Sequence, residues 1–332
     1  MTAPTSARLR SPEEIALHAG QQVPFLRLPE RRTAFAEREM RLRQRAAGHP
    51  MGDFLRFVAE LSHCQHEVLQ RLNDAVLPDR AALDAAAHRG EPPLAATAWP
   101  RDPAWRRQFH DIVDTLLPRL AGTAAHASVL PLLEADPAWL EQQADRVLNG
   151  VMLGLDLAAA PLVVAALQAH WMHLVTSTQE AHAGAAPFGR IDDATACPCC
   201  GSRPTASIVR IGAEDAGYRY LHCWLCSTQW HMVRIKCSCC QKTKGIEYLS
   251  LQPNASSEAT QAAVEAETCG GCGHYLKIVH MARDVHVDPV ADDLATVMLD
   301  LLVAEAGFER HGVNPLLLFG DPEPASQDGG SA

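Results

Sequence analysis

Four Cys-x-x-Cys pairs constrain this chain more than any other feature: Cys197/Cys200, Cys223/Cys226, Cys237/Cys240 and Cys269/Cys272. Two thiolates three positions apart on a tight turn can occupy two corners of one tetrahedron, with the turn's N–H groups directed at the sulfurs. Two such knuckles close one S4 site, so four predict two sites. Of the 11 cysteines, only Cys64 lies outside the stretch from Cys197 to Cys272. Such clustering in a secreted chain would suggest disulfides. The opening MTAPTSARLRSPEEIAL has no apolar signal-peptide core, so the expectation is a cytoplasmic protein with reduced thiols.

Spacing leaves the pairing open. Joining neighbours gives one site from Cys197, Cys200, Cys223 and Cys226 and another from Cys237, Cys240, Cys269 and Cys272, each with a hairpin between its knuckles. A cross-braced arrangement, first with third and second with fourth, satisfies the same spacing. Cys199 and Cys239 make two knuckles Cys-x-Cys-Cys, so an adjacent sulfur could exchange as ligand, or simply fill a variable turn position. His222 and His274 stand beside knuckles but are surplus to eight well-placed thiols. A tetrahedral S4 set suits zinc or a single iron about equally. A closed S4 site has no position for a bound water, which argues for a structural ion over a Lewis-acid catalyst.

The preceding 180 or so residues read as helices. Asp102-Pro103 and Asp136-Pro137 are start signals, and Gly122 and Gly150 are the matching stops. An earlier helix aligns Phe54, Phe57, Val58, Leu61, Val68, Leu69 and Leu72 on one face, and Pro161 to Thr178 is apolar nearly all round, as in a central helix. With no period-two alternation, this half is expected to be all-α. From Gly184 the texture changes to short β-branched and aromatic segments, at Ser207–Ile211, Tyr218–His222, Trp230–Ile235, Tyr248–Leu251 and Tyr275–His280. A last helix opens at Asp288-Pro289, aligns Leu294, Val297, Met298, Leu301 and Leu302, and stops at Gly307. The fold class is therefore α+β: an N-terminal all-α domain, two small rubredoxin-like or zinc-ribbon-like metal modules, and a C-terminal helix. The expected division is a flexible start over 1–25, helical domain 26–185, first four-cysteine module 186–235, second module with its helix 236–312, and flexible tail 313–332.

A net charge of −10 weighs against a general affinity for nucleic acid. Lysine occurs only at Lys236, Lys242, Lys244 and Lys277. With Arg234, the first three make a basic patch at the third knuckle, where they would offset the net negative charge of a metal–tetrathiolate centre. The longest apolar run, Val151–Leu167, is broken by Asp156 and Pro161 and is too short to span a bilayer. His63, His66 and Glu67 share a helix face, read here as solvated, and His170 and His173 read as core histidines. Cys64 lies in an apolar stripe and reads as buried and inert. No phosphate loop, dinucleotide loop, nucleophile elbow or paired-carboxylate constellation occurs, so no enzyme is expected and no catalytic residue is assigned.

The cysteine-bearing half resembles the FdhE family of formate dehydrogenase accessory proteins. The resemblance rests on CPCCGSRPTASIVRIG at 197–212, YRYLHCWLCSTQWHMVRIKCSCC at 218–240, ETCGGCGHYLKIV at 267–279 and the helix-bearing stretch 288–320. A shorter echo, AAGHPMGDFLRFVAEL at 46–61, extends it into the helical half. The resemblance implies rubredoxin-like modules carrying two ions, iron favoured over zinc, held by the eight knuckle cysteines. It also implies a non-enzymatic cytoplasmic assembly or proofreading factor whose partner is a formate dehydrogenase catalytic subunit. Cys199, Cys239 and Gln241 depart from the pattern, Gln241 by placing a bulky residue where a small one often follows the knuckle. A rubredoxin-like electron carrier and a zinc-ribbon nucleic-acid binder are the rival functions.

Overall fold

The computed structural model describes residues 23–212, 217–251 and 262–317. The expected flexible start up to residue 22, and the expected tail from residue 318, fall outside them. Seven α-helices of the described residues make up the first half: α1 (Ala34–Ala46), α2 (Gly52–Arg71), α3 (Arg80–His88), α4 (Ala104–Leu116), α5 (Ala124–Val129), α6 (Pro137–Asn149) and α7 (Ala160–Ala181). Sequence punctuation sets several ends. The Asp136 carboxylate accepts from the Ala138 and Trp139 N–H groups, Pro137 occupies the first turn, and Gly150 terminates α6 at φ +66°. At α4 the start is one residue later than Asp102-Pro103 suggests, because Asp102 caps the Ala104 N–H from outside the helix.

As expected from its unbroken apolar composition, α7 is the central helix, buried on almost every side from Leu162 to Thr176. Its one buried amide, Gln168, is bonded at both its oxygen and its nitrogen. It accepts from Gln65 of α2 at 3.0 Å and donates to the Trp224 carbonyl, within the second knuckle, at 2.8 Å. A buried amide without partners would be costly, so these bonds fix how the bundle meets the cysteine-bearing half.

Among the described residues, that half is built on one eight-stranded sheet and not on two separate sheets. β2 (Pro204–Val209), β3 (Arg219–Cys223) and β4 (Gln229–His231) form one antiparallel set, and β5 (Ile246–Leu249), β6 (Val264–Cys269) and β7 (His274–His280) form another. They join where β2 runs parallel to β7, with Ser207 opposite Ile278. Two short strands extend the sheet: β1 (Leu26–Arg27) pairs with β4, and β8 (Glu309–Arg310) pairs with β7. β1 is a correction to an all-α first half, since two residues are too few to show alternation. β6 is absent from the sequence reading because VEAETC is rich in alanine and glutamate, which are depleted in strands. Pairing on both edges and burial of Ala266 and Cys269 override that preference.

The expected last helix is two. α8 (Pro289–Leu294) starts at the Asp288 cap as expected, but the chain breaks at Ala295–Thr296 and resumes as α9 (Val297–Glu305). Thr296 turns its hydroxyl back onto the Asp292 carbonyl at 2.7 Å, satisfying an acceptor that the break frees. The break shifts the phase, so Leu299 and Val303 face the core while Met298, Leu301 and Leu302 of the expected stripe are exposed. Buried ion pairs dock these helices. Arg41 of α1 makes a bidentate pair with Asp292 at 2.7 and 2.9 Å, and Lys277 of β7 reaches Asp293, Asp300 and the carbonyls of Asp293 and Thr296.

Candidate metal centres

Neighbouring knuckles come together, and the cross-braced alternative is not the arrangement found. Cys197, Cys200, Cys223 and Cys226 form one group, and Cys237, Cys240, Cys269 and Cys272 form the other, with the sulfurs of each group within 4.8 Å of one another. In the first, Cys197–Cys226, Cys200–Cys223 and Cys200–Cys226 are 3.6, 3.4 and 3.6 Å apart; in the second, Cys237–Cys272 and Cys240–Cys269 are 3.8 and 3.7 Å apart. A tetrahedron with metal–sulfur bonds of about 2.3 Å separates its sulfurs by about 3.8 Å. A disulfide would place them about 2.05 Å apart, and all 11 cysteines are free. Each group could therefore hold one tetrahedral ion.

One backbone device builds the knuckles. The first cysteine's N–H donates to the carbonyl five residues on, from Cys197 to Ser202, Cys223 to Thr228 and Cys237 to Lys242, at 2.8–2.9 Å. The residue after the second cysteine takes the left-handed conformation in all four: Gly201 (φ +73°), Ser227 (+59°), Gln241 (+61°) and Gly273 (+74°). Glycine adopts it freely, whereas serine and glutamine are strained there. Loop N–H groups then face sulfur, as from Leu225 and Cys226 to Cys223 and from Cys239 to Cys237, at 3.4–3.5 Å.

Their surroundings separate the two groups. The first is wholly buried in the same apolar core as α7, and its knuckle carbonyls serve the helical half: Leu94 N–H donates to Cys199 O and Ala96 N–H to Cys200 O. Burial drives the Cys197, Cys223 and Cys226 thiols up. Cys200, equally buried, is held well below the usual thiol range by hydrogen bonds from its three neighbours. The second group lies at the β6–β7 turn, along the same end of the strands as the first, with Cys240 and Cys272 only partly covered. There the Lys242 backbone draws the Cys240 thiol down to about 7.

Models of three FdhE segments match this chain in order: the FdhE N-terminal region over residues 23–184, the central domain over 196–234 and the C-terminal domain over 235–317. The chain belongs to the FdhE family. A protein named FdhE homolog from Cronobacter sakazakii is 38% identical over 301 residues, covering 91% of this chain and 93% of its own. A protein named FdhE from Salmonella paratyphi B has the same identity and coverage. The crystal structure of the FdhE protein from Pseudomonas aeruginosa superposes with a TM-score of 0.75 at 37% identity, covering 90% of this chain and 100% of that one.

Among the other residues singled out for this FdhE-family chain, Cys199 is buried beside the first group, 3.6 Å from the Thr228 hydroxyl, and is not one of its four sulfurs. Cys239 lies near Cys272 and His274, a second constellation at the exposed group. His222 turns away from the sulfurs and lines a cleft on the other side of β3. His63 sits between Glu39 and Glu67 at 3.0 Å to each, and Cys64 is buried with its thiol pushed up to about 12. Of the two core histidines, His173 is partnered, while His170 has no partner at either nitrogen. Thr228 was missed by sequence reading although it sits 3.2 Å from Cys226 Sγ and closes the second knuckle; its one signal was its place two residues beyond a Cys-x-x-Cys. No helix of the described residues is long and apolar enough to cross a membrane.

Proposed function

We propose that this protein is a non-enzymatic, cytoplasmic accessory factor in formate dehydrogenase maturation, binding the catalytic subunit through a surface that two ions, each held by four cysteines, stabilise. Membership of the FdhE family, matched in three segments between residues 23 and 317, is the observation that carries this reading. The eight knuckle cysteines serve as ligands, four thiolates to each ion, so that each centre keeps a net negative charge. Such an ion supplies rigidity and, if it is iron, a one-electron couple. The buried first group is the structural ion, joining the helical half to the sheet. The second, with Arg234, Lys242 and Lys244 exposed around it, is the one a partner can reach, and any redox response of the protein belongs there.

The test is anaerobic affinity capture of the tagged protein from its own host, with metal analysis of the eluate. The expected result is a formate dehydrogenase catalytic subunit in the eluate and about two ions per chain, with Cys240→Ala lowering metal content and capture together. A metal-loaded chain that never captures that subunit overturns the reading. Iron that cycles with a soluble reductase would then favour an electron carrier.

A further inference from the structure

Between α1 and strands β2–β4 lies a cleft of about 560 Å³ that no cysteine lines. Its lining includes the buried Arg38, His222 and Ser227, together with Arg210, Gln229 and Asp288. Arg38 is 1% exposed. Its Nη1 has no partner, its Nη2 reaches the Ser227 hydroxyl only at 3.4 Å, and its Nε is 3.5 Å from Asp288 Oδ1. That same oxygen is already engaged, accepting from the Val290 and Ala291 N–H groups at the start of α8. His222 is 4% exposed, and its Nε2 also has no partner.

A guanidinium this deeply buried gives up its hydration and needs acceptors in return. The protein supplies too few. Three donors with unused capacity, Arg38, the Ser227 hydroxyl and His222, converge on one wall, and Arg210 stands beside them with Nη1 bonded to Gln229 at 3.0 Å. The two other carboxylates of the cleft, Glu30 and Glu37, are exposed at its rim, where water screens them. The remaining walls are partly apolar, with Ile208 and Met281 among them, and the volume lies in the range of small-molecule sites, roughly 300–1,000 Å³.

We propose that this cleft binds a small anionic ligand, its carboxylate or phosphate oxygens taking up the free hydrogen-bonding capacity of Arg38 and Ser227. The argument for the site does not use the metal-ion reading above: none of its donors is a cysteine, although His222 and Ser227 directly adjoin Cys223 and Cys226. Isothermal titration of the full-length, metal-loaded protein with inorganic phosphate and, separately, with succinate tests it and distinguishes the two oxyanion chemistries. The expected result is saturable 1:1 binding of one probe, weakened at least tenfold by Arg38→Lys, which loses the planar fork. Ser227→Gly, which keeps the left-handed backbone and removes only the hydroxyl, should weaken it several-fold at unchanged metal content. If Arg38→Lys does not fold, Ser227→Gly decides alone. Absence of saturable binding by both probes at concentrations up to about 10 mM, or binding that neither variant changes, overturns the proposal.

Discussion

Gln241 carries, at the third knuckle, a backbone conformation that glycine carries at the first and fourth. A side chain in that conformation is strained by about 1–2 kcal/mol, partly offset because glycine loses more freedom on folding. Gln241→Gly is therefore expected to raise stability by about 0.5–1 kcal/mol, read as a higher urea midpoint at unchanged metal content; a lower midpoint would mean the side chain contributes a contact of its own. His170 acts at the same scale through its charge. Burial holds its pKa down to about 4, so the folded state keeps the ring neutral while the unfolded chain protonates near pH 6.5. The unfolded state then binds the extra proton as pH falls below about 6.5, and stability declines. From pH 7 to pH 5 this one group should remove about 2 kcal/mol, at about 1.4 kcal/mol per pK unit. His170→Phe should flatten that part of the stability–pH curve, and an unchanged slope would assign it to other groups.

At the scale of elements, the break between α8 and α9 determines which apolar residues matter. Leu299 and Val303 are core, whereas Met298 is more than half exposed. Leu299→Ala should cost about 2–5 kcal/mol, and Met298→Gln should stay within about 0.5 kcal/mol. Equal losses in thermal unfolding would restore the single-helix phase. The same helices rest on Lys277, which is 1% exposed and ion-paired to Asp293 and Asp300. Replacing one member of such a network leaves charge buried without its partner, so Lys277→Met should destabilise by about 3–5 kcal/mol. The double variant with Asp300→Leu should recover part of that loss, and strict additivity would show that the two do not interact.

Across the whole molecule the two sulfur groups are not equivalent. One is enclosed by the core of the helical half, and the other stands at the β6–β7 turn with two cysteines partly covered. A bound structural ion contributes on the order of 10–16 kcal/mol, but only the first is continuous with α7. A chelator should therefore strip one ion per chain quickly while leaving helical circular dichroism intact. Loss of the second ion should coincide with loss of the helical signal. Simultaneous release of both, without unfolding, would contradict that asymmetry.

Spacing alone specified the knuckles, because two corners of a tetrahedron need a fixed short loop. Periodicity specified α2, because a helix with one buried face repeats its apolar side chains every three to four residues, and an unbroken apolar composition specified α7. Local chemistry likewise marked the caps at Asp136, Gly150 and Asp288. Other features had no local signal. Which knuckles pair, how β2 meets β7 to make one sheet of two hairpin sets, and where the last helix breaks all depend on partners distant in sequence. So does the unsatisfied wall of Arg38 and His222, since a side chain's hydrogen-bond deficit exists only once the chain has folded around it. The candidate ligands and the helical core are short-range patterns, written into neighbouring residues before any packing occurs. The unequal burial of the two sulfur groups and the cleft beside Arg38 arise only in the folded chain, because burial is a property of the packed whole.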